Sequence, residues 1–349
     1  MLNTFAHKLI HWQIRHGRHD LPWQGNRDPY AIWVSEIMLQ QTQVATVIPY
    51  YNRFMARFPN ISMLAMTTEE DVLTCWAGLG YYARGRNLHK AAQIIQQRHA
   101  GLFPYSIDEV AALPGIGPST AAAICVFAFG TTHAILDGNV KRVLARNFGI
   151  PGYPGTRSVE NTLWQVARSL LPNKDLKSYT QGLMDLGATI CTRVNPRCAT
   201  CPVKDSCVAL REKRINELPS PRPRKILPEK HVQFLVIRYG PDLFLEKRPV
   251  PGIWGGLWSL PEASMEMDPT LTCMQICGRT PVELHRLTPL NHAFSHFKLR
   301  IQPIEMRLSH RPLGISDGGS GIWLPLDDAK RAALPKAVER ILNKLKNYT

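Results

Sequence analysis

The chain has 349 residues, 44% of them hydrophobic, with 42 Lys and Arg against 27 Asp and Glu, a formal charge of +15. That length holds two domains with sizeable cores, and that charge favours an anionic partner, nucleic acid or an anionic membrane surface. No stretch is apolar over the length a transmembrane helix needs: Thr120–Gly130 is the longest candidate and suits a buried helix. The first sixteen residues place Phe5, Leu9 and Trp12 at helical spacing and lack the apolar run of a signal peptide, so the cytoplasm is the expected compartment.

In chain order, Asp28-Pro29 caps a helix that runs to about Gln41. It carries Glu36 among Ile32, Trp33, Ile37 and Leu39. A carboxyl group held against apolar neighbours keeps its proton, as a general acid near neutral pH must. The plain alternative is an exposed glutamate on an amphipathic helix. The amide-rich run Gln40-Gln41-Thr42-Gln43 follows at once. Pro49–Phe58 reads as a helix with Tyr50, Phe54 and Phe58 on one stripe of core. Thr68 and Asp71 mark another cap, and a helix over Tyr81–His99 ends at Gly101 with Arg84, Arg86 and Lys90 on a solvated face.

Ser106 and Glu109 form a capping box for a short helix ending at Leu113. The turn Pro114-Gly115-Ile116-Gly117 needs glycine's freedom in φ, and Pro118 suits the first position of the next helix. Two helices joined by such a turn leave free N–H groups at the second helix's start, a natural phosphate site. Asp137 follows one helix later on an Asp-Gly turn that aims its carboxylate back toward this site. Read blandly, the same residues make an αα-corner in which Asp137 only caps the helix Gly138–Arg146. Ser158–Leu171 and Tyr179–Cys191 are two further helices.

Of eight cysteines, Cys75, Cys125, Cys273 and Cys277 sit in apolar sequence as small core residues. Cys191, Cys198, Cys201 and Cys207 cluster with six, two and five residues between them. A disulfide staple does not suit a large protein without an export signal, and only Cys198–Cys201 has the spacing usual for zinc. Four thiolates in one Pro-bent loop suit a single 4Fe–4S cluster better, and the spacing matches the cluster loop of the endonuclease III family. Arg193, Arg197 and Lys204 make that loop positive, a knot that organises the fold for phosphate contacts.

From 211 to 230 the chain is a semi-rigid basic linker with Pro219, Pro221, Pro223 and Pro228 among Arg214, Arg222, Arg224 and Lys225. Beyond it, Val232–Arg238 and Leu243–Arg248 form a hairpin, His292–Met306 and a segment with Trp323 are strands, and Lys336–Lys346 is a closing helix. This α+β domain resembles the Nudix-like domain of nucleotide-pool sanitising enzymes. It lacks their metal-binding glutamates, since Ala-Ser-Met-Glu-Met-Asp follows Glu262. A fold kept for recognition is the reading.

Taken in order, the Glu36 to Val44 run, Gly78-Leu-Gly-Tyr-Tyr-Ala-Arg, the hairpin with Asp137, the four cysteines and Phe294-Ser295-His296 resemble the adenine DNA glycosylases of the MutY type over nearly the whole chain. The resemblance implies a helical helix-hairpin-helix glycosylase domain over 1–210 that holds the cluster, and a Nudix-like lesion-recognition domain over 231–349. It implies a monomer that binds double-stranded DNA, not membrane, and removes adenine opposite 8-oxoguanine or guanine. Glu36 would protonate the flipped-out adenine, Asp137 would stay ionised beside the oxocarbenium-like sugar, and Asn139 would support it. Gln41 and Tyr81 would fill or wedge the gap in the duplex, with Gln40, Thr42, Gly115, Gly117, Ser119 and Lys141 also on the DNA. Phe294, Ser295 and His296 would meet the oxidised guanine, with Ser295 and Phe297 on the same strand face as Ala293, Leu299 and Ile301. Pro118 departs from the family, where arginine is frequent. Ser119 stands where strand-cutting relatives carry a Schiff-base lysine, so the enzyme is expected to be monofunctional, Lys141 being displaced. The alternatives are a bifunctional endonuclease III-like glycosylase/lyase, a non-catalytic DNA-structure binder, and a nucleotide pyrophosphatase, the last two weakened by the carboxylate pair and by the missing glutamates.

Overall fold

The computed structural model describes residues 2–25, 27–223, 226–312 and 321–345. Arg224 and Lys225 of the basic linker and Lys346 of the closing helix therefore lie outside the described residues. Contacts gather the chain into two units, Met1–Met66 with Asn87–Arg224, and Thr67–Arg86 with Lys225–Thr349.

The first unit is helical: α1 (Leu2–His16), α2 (Pro29–Leu39), α3 (Val44–Arg57) and α4 (Ile61–Met66) precede Thr67. α5 (Glu69–Trp76) belongs to the second unit, and α6 (Ala83–Arg98) runs from one unit into the other. Then follow α7 (Ile107–Ala111), α8 (Pro118–Phe129), α9 (Gly138–Asn147), α10 (Arg157–Ser169), α11 (Leu176–Asp185) and, past the cysteine loop, α12 (Val208–Arg211). Phe5 and Leu9 of α1 join Leu144, Leu163, Leu183 and Leu186 in one buried cluster. Fully burying each such side chain contributes roughly 1.5–3 kcal/mol. α2 packs against α8, whose Ala121, Ala122 and Ala123 are small enough to let Trp33 and Val34 disappear from solvent.

Several helix boundaries differ from expectation for local reasons. α6 starts at Ala83, not Tyr81, because Tyr81 takes a left-handed φ of +50° that no helix accepts. α3 starts earlier, at Val44, and keeps Pro49 inside it. Ser106 stands at the start of α7 but its side chain makes no capping hydrogen bond, and the helix stops at Ala111. α11 does not reach Cys191: it widens into a π turn over Leu186–Ile190. Arg84 and Arg86 do not form a solvated face: Arg84 is buried across the Trp76 and Tyr81 rings, and Arg86 donates to the Gly255 carbonyl. Cys125, Cys273 and Cys277 are core residues as expected, whereas Cys75 is half-buried.

The second unit is built on a mixed sheet in the order β3-β2-β1-β7-β5, with β4 on β1, β6 on β7 and β8 on β2. The strands are β1 (Glu229–Tyr239), β2 (Asp242–Lys247), β3 (Trp258–Ser259), β4 (Glu262–Ser264), β5 (Glu283–Arg286), β6 (Leu290–Ala293), β7 (Lys298–Arg307) and β8 (Gly321–Pro325). β1 and β7 run parallel from Glu229↔Lys298 to Arg238↔Arg307. Helices α13 (Pro269–Cys277), α14 (Leu326–Ala329) and α15 (Lys336–Leu342) complete the second unit. The single strand expected over His292–Met306 is two strands. Phe294 N–H donates to Phe297 O at 2.9 Å and closes a turn between β6 and β7. Two-residue alternation fails across it: Phe297, Leu299 and Ile301 are buried, but Ala293 and Ser295 are exposed. No helix among the described residues is long and apolar enough to cross a membrane.

One buried ion pair ties the chain's start to α11. The Asp185 carboxylate, hidden from solvent, accepts from Arg18 N at 2.9 Å, Arg18 Nε at 2.7 Å and Gln181 Nε2 at 2.8 Å. Removing the carboxylate strips Arg18 and Gln181 of a buried acceptor, which costs on the order of 1–3 kcal/mol since Arg18 keeps some access to water. Asp185→Ala is therefore expected to lower the melting temperature by several degrees in calorimetry. An unchanged melting temperature would show that the pair is neutral to the fold.

Candidate active site and cluster loop

The site begins with the cap of α2. Asp28 Oδ1 accepts from Tyr30 N–H at 3.0 Å and Pro29 occupies the first turn, which fixes the register that turns Glu36 inward. Glu36 is half-buried in the wall of a cavity of about 570 Å³ that Trp23, Arg27, Ile32, Leu39 and Gln181 also line. Burial pushes its carboxyl up to about 8, and the negative charge of Asp137 nearby adds to the shift.

Asp137 is both a helix cap and the second carboxyl group of this site. Its Oδ1 accepts from Val140 N–H at 2.7 Å at the start of α9. Burial raises its pKa, while hydrogen bonds from the Val140 and Asn139 N–H groups and the charges of Arg142 and Lys141 oppose the rise. The segment before it is pinned by Ser119, whose Oγ accepts from Leu136 N–H at 2.9 Å. Asn139 does not act alone. Its Oδ1 accepts from Arg142 at 2.9 Å, and the same guanidinium donates to Gly187 O at 2.7 Å and Cys191 O at 2.8 Å. The π turn makes this approach possible: a Cβ on Gly187 would lie 2.6 Å from Asn139 Cβ, so no larger residue fits.

The hairpin has the expected turn. Gly115 sits at φ +80°, where a Cβ would lie 2.9 Å from Asn87 Cβ, and Gly117 caps α8 with Pro118 in its first turn. Gly115 and Gly117 are exposed. Gln40 Nε2 reaches back at 3.3 Å to both Gly115 O and Thr120 Oγ1, tying α2 to the hairpin, and Thr42 Oγ1 donates to Gln40 O at 3.3 Å. Gln41 is exposed at a left-handed φ of +58°. Lys141 Nζ is held by Glu160 at 2.6 Å. In the second unit Tyr81 is 51% exposed, and the tip of the β6–β7 turn presents Ser295 Oγ 3.5 Å from His296 Nδ1, with Phe294 and Phe297 stacked behind it at 4.5 Å.

Sequence reasoning missed Trp23, Arg27 and Gln181 in the cavity wall and Arg142 behind Asp137. Trp23 and Arg27 come from the loop before α2 and Gln181 from α11, with no shared motif. Arg142 had a signal, since it follows Asn139 by three residues on one helix and so shares its face.

Cys191, Cys198, Cys201 and Cys207 are unpaired thiols that surround one small hollow, with Arg146 beside them donating to Cys191 Sγ at 3.5 Å. Among the described residues no group of His, Cys, Asp or Glu is set to hold a single metal ion. Burial pushes Cys201 up to about 12, and neighbouring thiolates raise Cys198, Cys201 and Cys207 further. Four thiolates facing one hollow repel each other unless a cationic centre lies between them, so this donor set fits an iron–sulfur cluster.

Comparison with known proteins gives the same organisation. A model described as HhH-GPD superfamily base excision DNA repair protein matches residues 34–169, the iron-sulfur binding domain of endonuclease III matches 191–207, and a NUDIX domain matches 232–344. The adenine DNA glycosylase of Buchnera aphidicola from Acyrthosiphon pisum is 37% identical over 342 residues, 98% of this chain and 97% of its own. The human adenine DNA glycosylase is 31% identical over 97% of this chain and 73% of its own. The chain belongs to the adenine DNA glycosylase family. Among solved structures, a thermostable thymine-DNA glycosylase shares 28% identity at a TM-score of 0.55 over 60% of this chain and 97% of its own. An endonuclease III–DNA complex shares the fold at a TM-score of 0.52 and 19% identity, covering 61% of this chain and 98% of that one.

Cys198→Ala removes one of the four thiolates and is expected to yield colourless protein with iron far below four per chain and weakened DNA binding. Brown wild-type protein should carry iron and sulfide. Stoichiometric zinc in anaerobically purified wild type would reject the cluster.

Proposed function

We propose that this protein hydrolyses the N-glycosidic bond of adenine in duplex DNA where adenine lies opposite 8-oxoguanine or guanine. The observation that carries it is Glu36 in the wall of a cavity of about 570 Å³, where burial and the charge of nearby Asp137 favour its protonated form. That volume lies in the range of sites for small ligands and has room for an extruded base. Extrusion costs a few kcal/mol of stacking, least at a mispair.

In this reading Glu36 gives its proton to a ring nitrogen of adenine as the bond to C1′ breaks. The base leaves with that proton, and the sugar becomes an oxocarbenium ion. The Asp137 carboxylate, held by the first N–H groups of α9, stabilises that cation. Water then adds to C1′ and its proton passes to the carboxylate pair, which restores the starting state. When bound, the cluster would be held by Cys191, Cys198, Cys201 and Cys207 and supply structure to the DNA-facing loop. The exposed glycines of the hairpin would take phosphate through N–H groups, Gln40 and Thr42 would brace that surface, and Gln41 and Tyr81 would enter the duplex. Ser119 and Lys141 favour hydrolysis without strand cutting: the hydroxyl is engaged by Leu136 N–H and the amine by Glu160. The protein would act as a monomer in the cytoplasm, on the chromosome.

Glu36→Gln and Asp137→Asn are each expected to abolish adenine release in single-turnover assays while leaving DNA binding nearly unchanged. In wild type the rate should fall as pH rises through about 8, as Glu36 loses its proton. The same group sets a stability trend. Because its folded pKa lies above its ordinary value, folding takes up a proton in between, and stability declines as pH rises through that window. Glu36→Gln should therefore show a shallower loss of melting temperature between pH 5 and 8. Near-normal release by Glu36→Gln would end the acid assignment.

The Ser295-His296 tip is proposed to read the opposite base, with Phe294 as its support. A hydroxyl and a backbone N–H satisfy the altered edge of 8-oxoguanine and are left unpaired against guanine, which costs on the order of 1–3 kcal/mol. Replacing both residues by Ala should lower the ratio of adenine release opposite 8-oxoguanine to that opposite guanine roughly tenfold. An unchanged ratio would move the reader elsewhere.

A further inference from the structure

In the second unit one loop, Pro249–Trp258, touches two parts of the chain that are remote in sequence. On one side the Trp254 ring packs against His292 at 5.3 Å and Phe294 at 5.2 Å, the residues that back the Ser295-His296 tip. Phe234 of β1 closes the other side at 6.3 Å. On its far side the same loop grips the segment that carries Tyr81. The carbonyl of Gly255, the next residue, accepts from Arg86. Gly256 lies so close to α5 that a Cβ there would stand 3.2 Å from both Glu69 Oε1 and Leu73 Cδ1. At the loop's end Trp258 Nε1 donates to Glu70 at 2.6 Å, and Lys247 Nζ pairs with the same carboxylate at 2.9 Å.

The loop and the Tyr81 turn each hold one non-glycine residue in a left-handed backbone conformation. Trp254 takes a φ of +58° and Tyr81 a φ of +50°, conformations that persist only when neighbours over-determine them. For Trp254 the neighbours are the aromatic cluster and the hydrogen bond from Leu257 N–H to its carbonyl at 3.0 Å. For Tyr81 they are Arg84 across its ring at 5.4 Å and the hydroxyl of Tyr82, which joins Gly78 N–H to Leu334 O at 3.3 Å on each side. An exposed ring on a backbone fixed in this way is suited to stacking on a base.

We infer that the Pro249–Trp258 loop is a positioning element, with Trp254 as its central residue, that fixes the spacing between the Ser295-His296 tip and the Tyr81 turn so that the two engage DNA as one rigid gauge. The inference rests on the function proposed above. A gauge of this kind makes the opposite-base contact and the stacking contact succeed or fail together. Loosening the loop then weakens discrimination even though neither probe is altered.

The test is a double-mutant cycle read as the ratio of single-turnover adenine release opposite 8-oxoguanine to that opposite guanine, with melting temperature as control. Arg86→Ala cuts the link at Gly255 and touches neither probe. It is expected to lower the ratio roughly fivefold or more, at near-native melting temperature, and to make Ser295→Ala with His296→Ala cost little further. Trp254→Ala should behave alike, and Trp254→Phe, which keeps a ring against Phe294, should restore most of the ratio. A wild-type ratio in Arg86→Ala, or losses that multiply in the combined variant, overturns the gauge. If the Ser295 and His296 changes alone leave the ratio untouched, the reader assignment fails and the gauge with it. Those outcomes separate the two ideas.

Discussion

Two buried carboxyl groups near enough for the charge of one to disfavour ionisation of the other cannot both be ionised cheaply, and the surroundings of Glu36 and Asp137 answer to that constraint. Glu36 lines a cavity, and burial and the Asp137 charge both favour its proton. Asp137 is surrounded instead by donors and cations: two N–H groups at the start of α9, Arg142 and Lys141. The difference between a bare helix wall and a helix N-terminus divides one proton between the two residues. The cost falls on stability, because a glutamate that must keep its proton above its ordinary range penalises the fold as pH rises.

A site held in that way needs stiff supports, and three of them converge on the few residues around Asp137. Ser119 fixes the segment before it through Leu136, α9 holds it through Val140, and Arg142 holds Asn139 after it. Arg142 reaches onward to the carbonyls of Gly187 and Cys191, so the first cysteine of the loop and the residue beside Asp137 share one guanidinium. The cluster therefore bears on the site through geometry. A change in the loop that moved the Cys191 or Gly187 carbonyl would move acceptors of Arg142, and through Arg142 bear on Asn139. Arginine suits this place because its planar fork serves several acceptors at once, which an ammonium would not.

Much of this was legible because its physical causes are local in sequence. The Asp28-Pro29 cap, the Gly115 turn and the cysteine spacing each depend on a few consecutive residues, and each appears where the sequence put it. Glu36 was legible through its apolar neighbours. What escaped depends on partners brought together only by folding. Trp23, Arg27 and Gln181 share the cavity because α1's loop, α2 and α11 meet there, and no spacing announces it. The solvated reading of Arg84 and Arg86 failed for the same reason: their partners include Trp76 and Gly255, one near and one far along the chain. The β6–β7 turn failed differently. Its residues alternate like a strand, but a single backbone hydrogen bond from Phe294 to Phe297 reverses the chain, and alternation cannot see that.

The second unit keeps a NUDIX-type sheet with few acidic side chains where β4 leads into the next helix. The helix that follows β4, α13, reads Pro-Thr-Leu-Thr-Cys-Met-Gln-Ile-Cys and has no acidic residue to hold a divalent cation. Glu262 at the edge of that region is instead paired with Arg248 at 2.7 Å, a structural use of the only carboxylate β4 offers. The parallel β1–β7 core is intact over ten residue pairs, from Glu229↔Lys298 to Arg238↔Arg307. On the reading proposed here the sheet serves as a stand for one polar turn. Excising an undamaged base is tolerable only when its partner has been checked. A pocket shaped for adenine alone has no contact that differs between a proper pair and a mispair. Discrimination must therefore come from polar groups that meet the opposite base and are left unsatisfied by the wrong one, a penalty that shape alone does not supply.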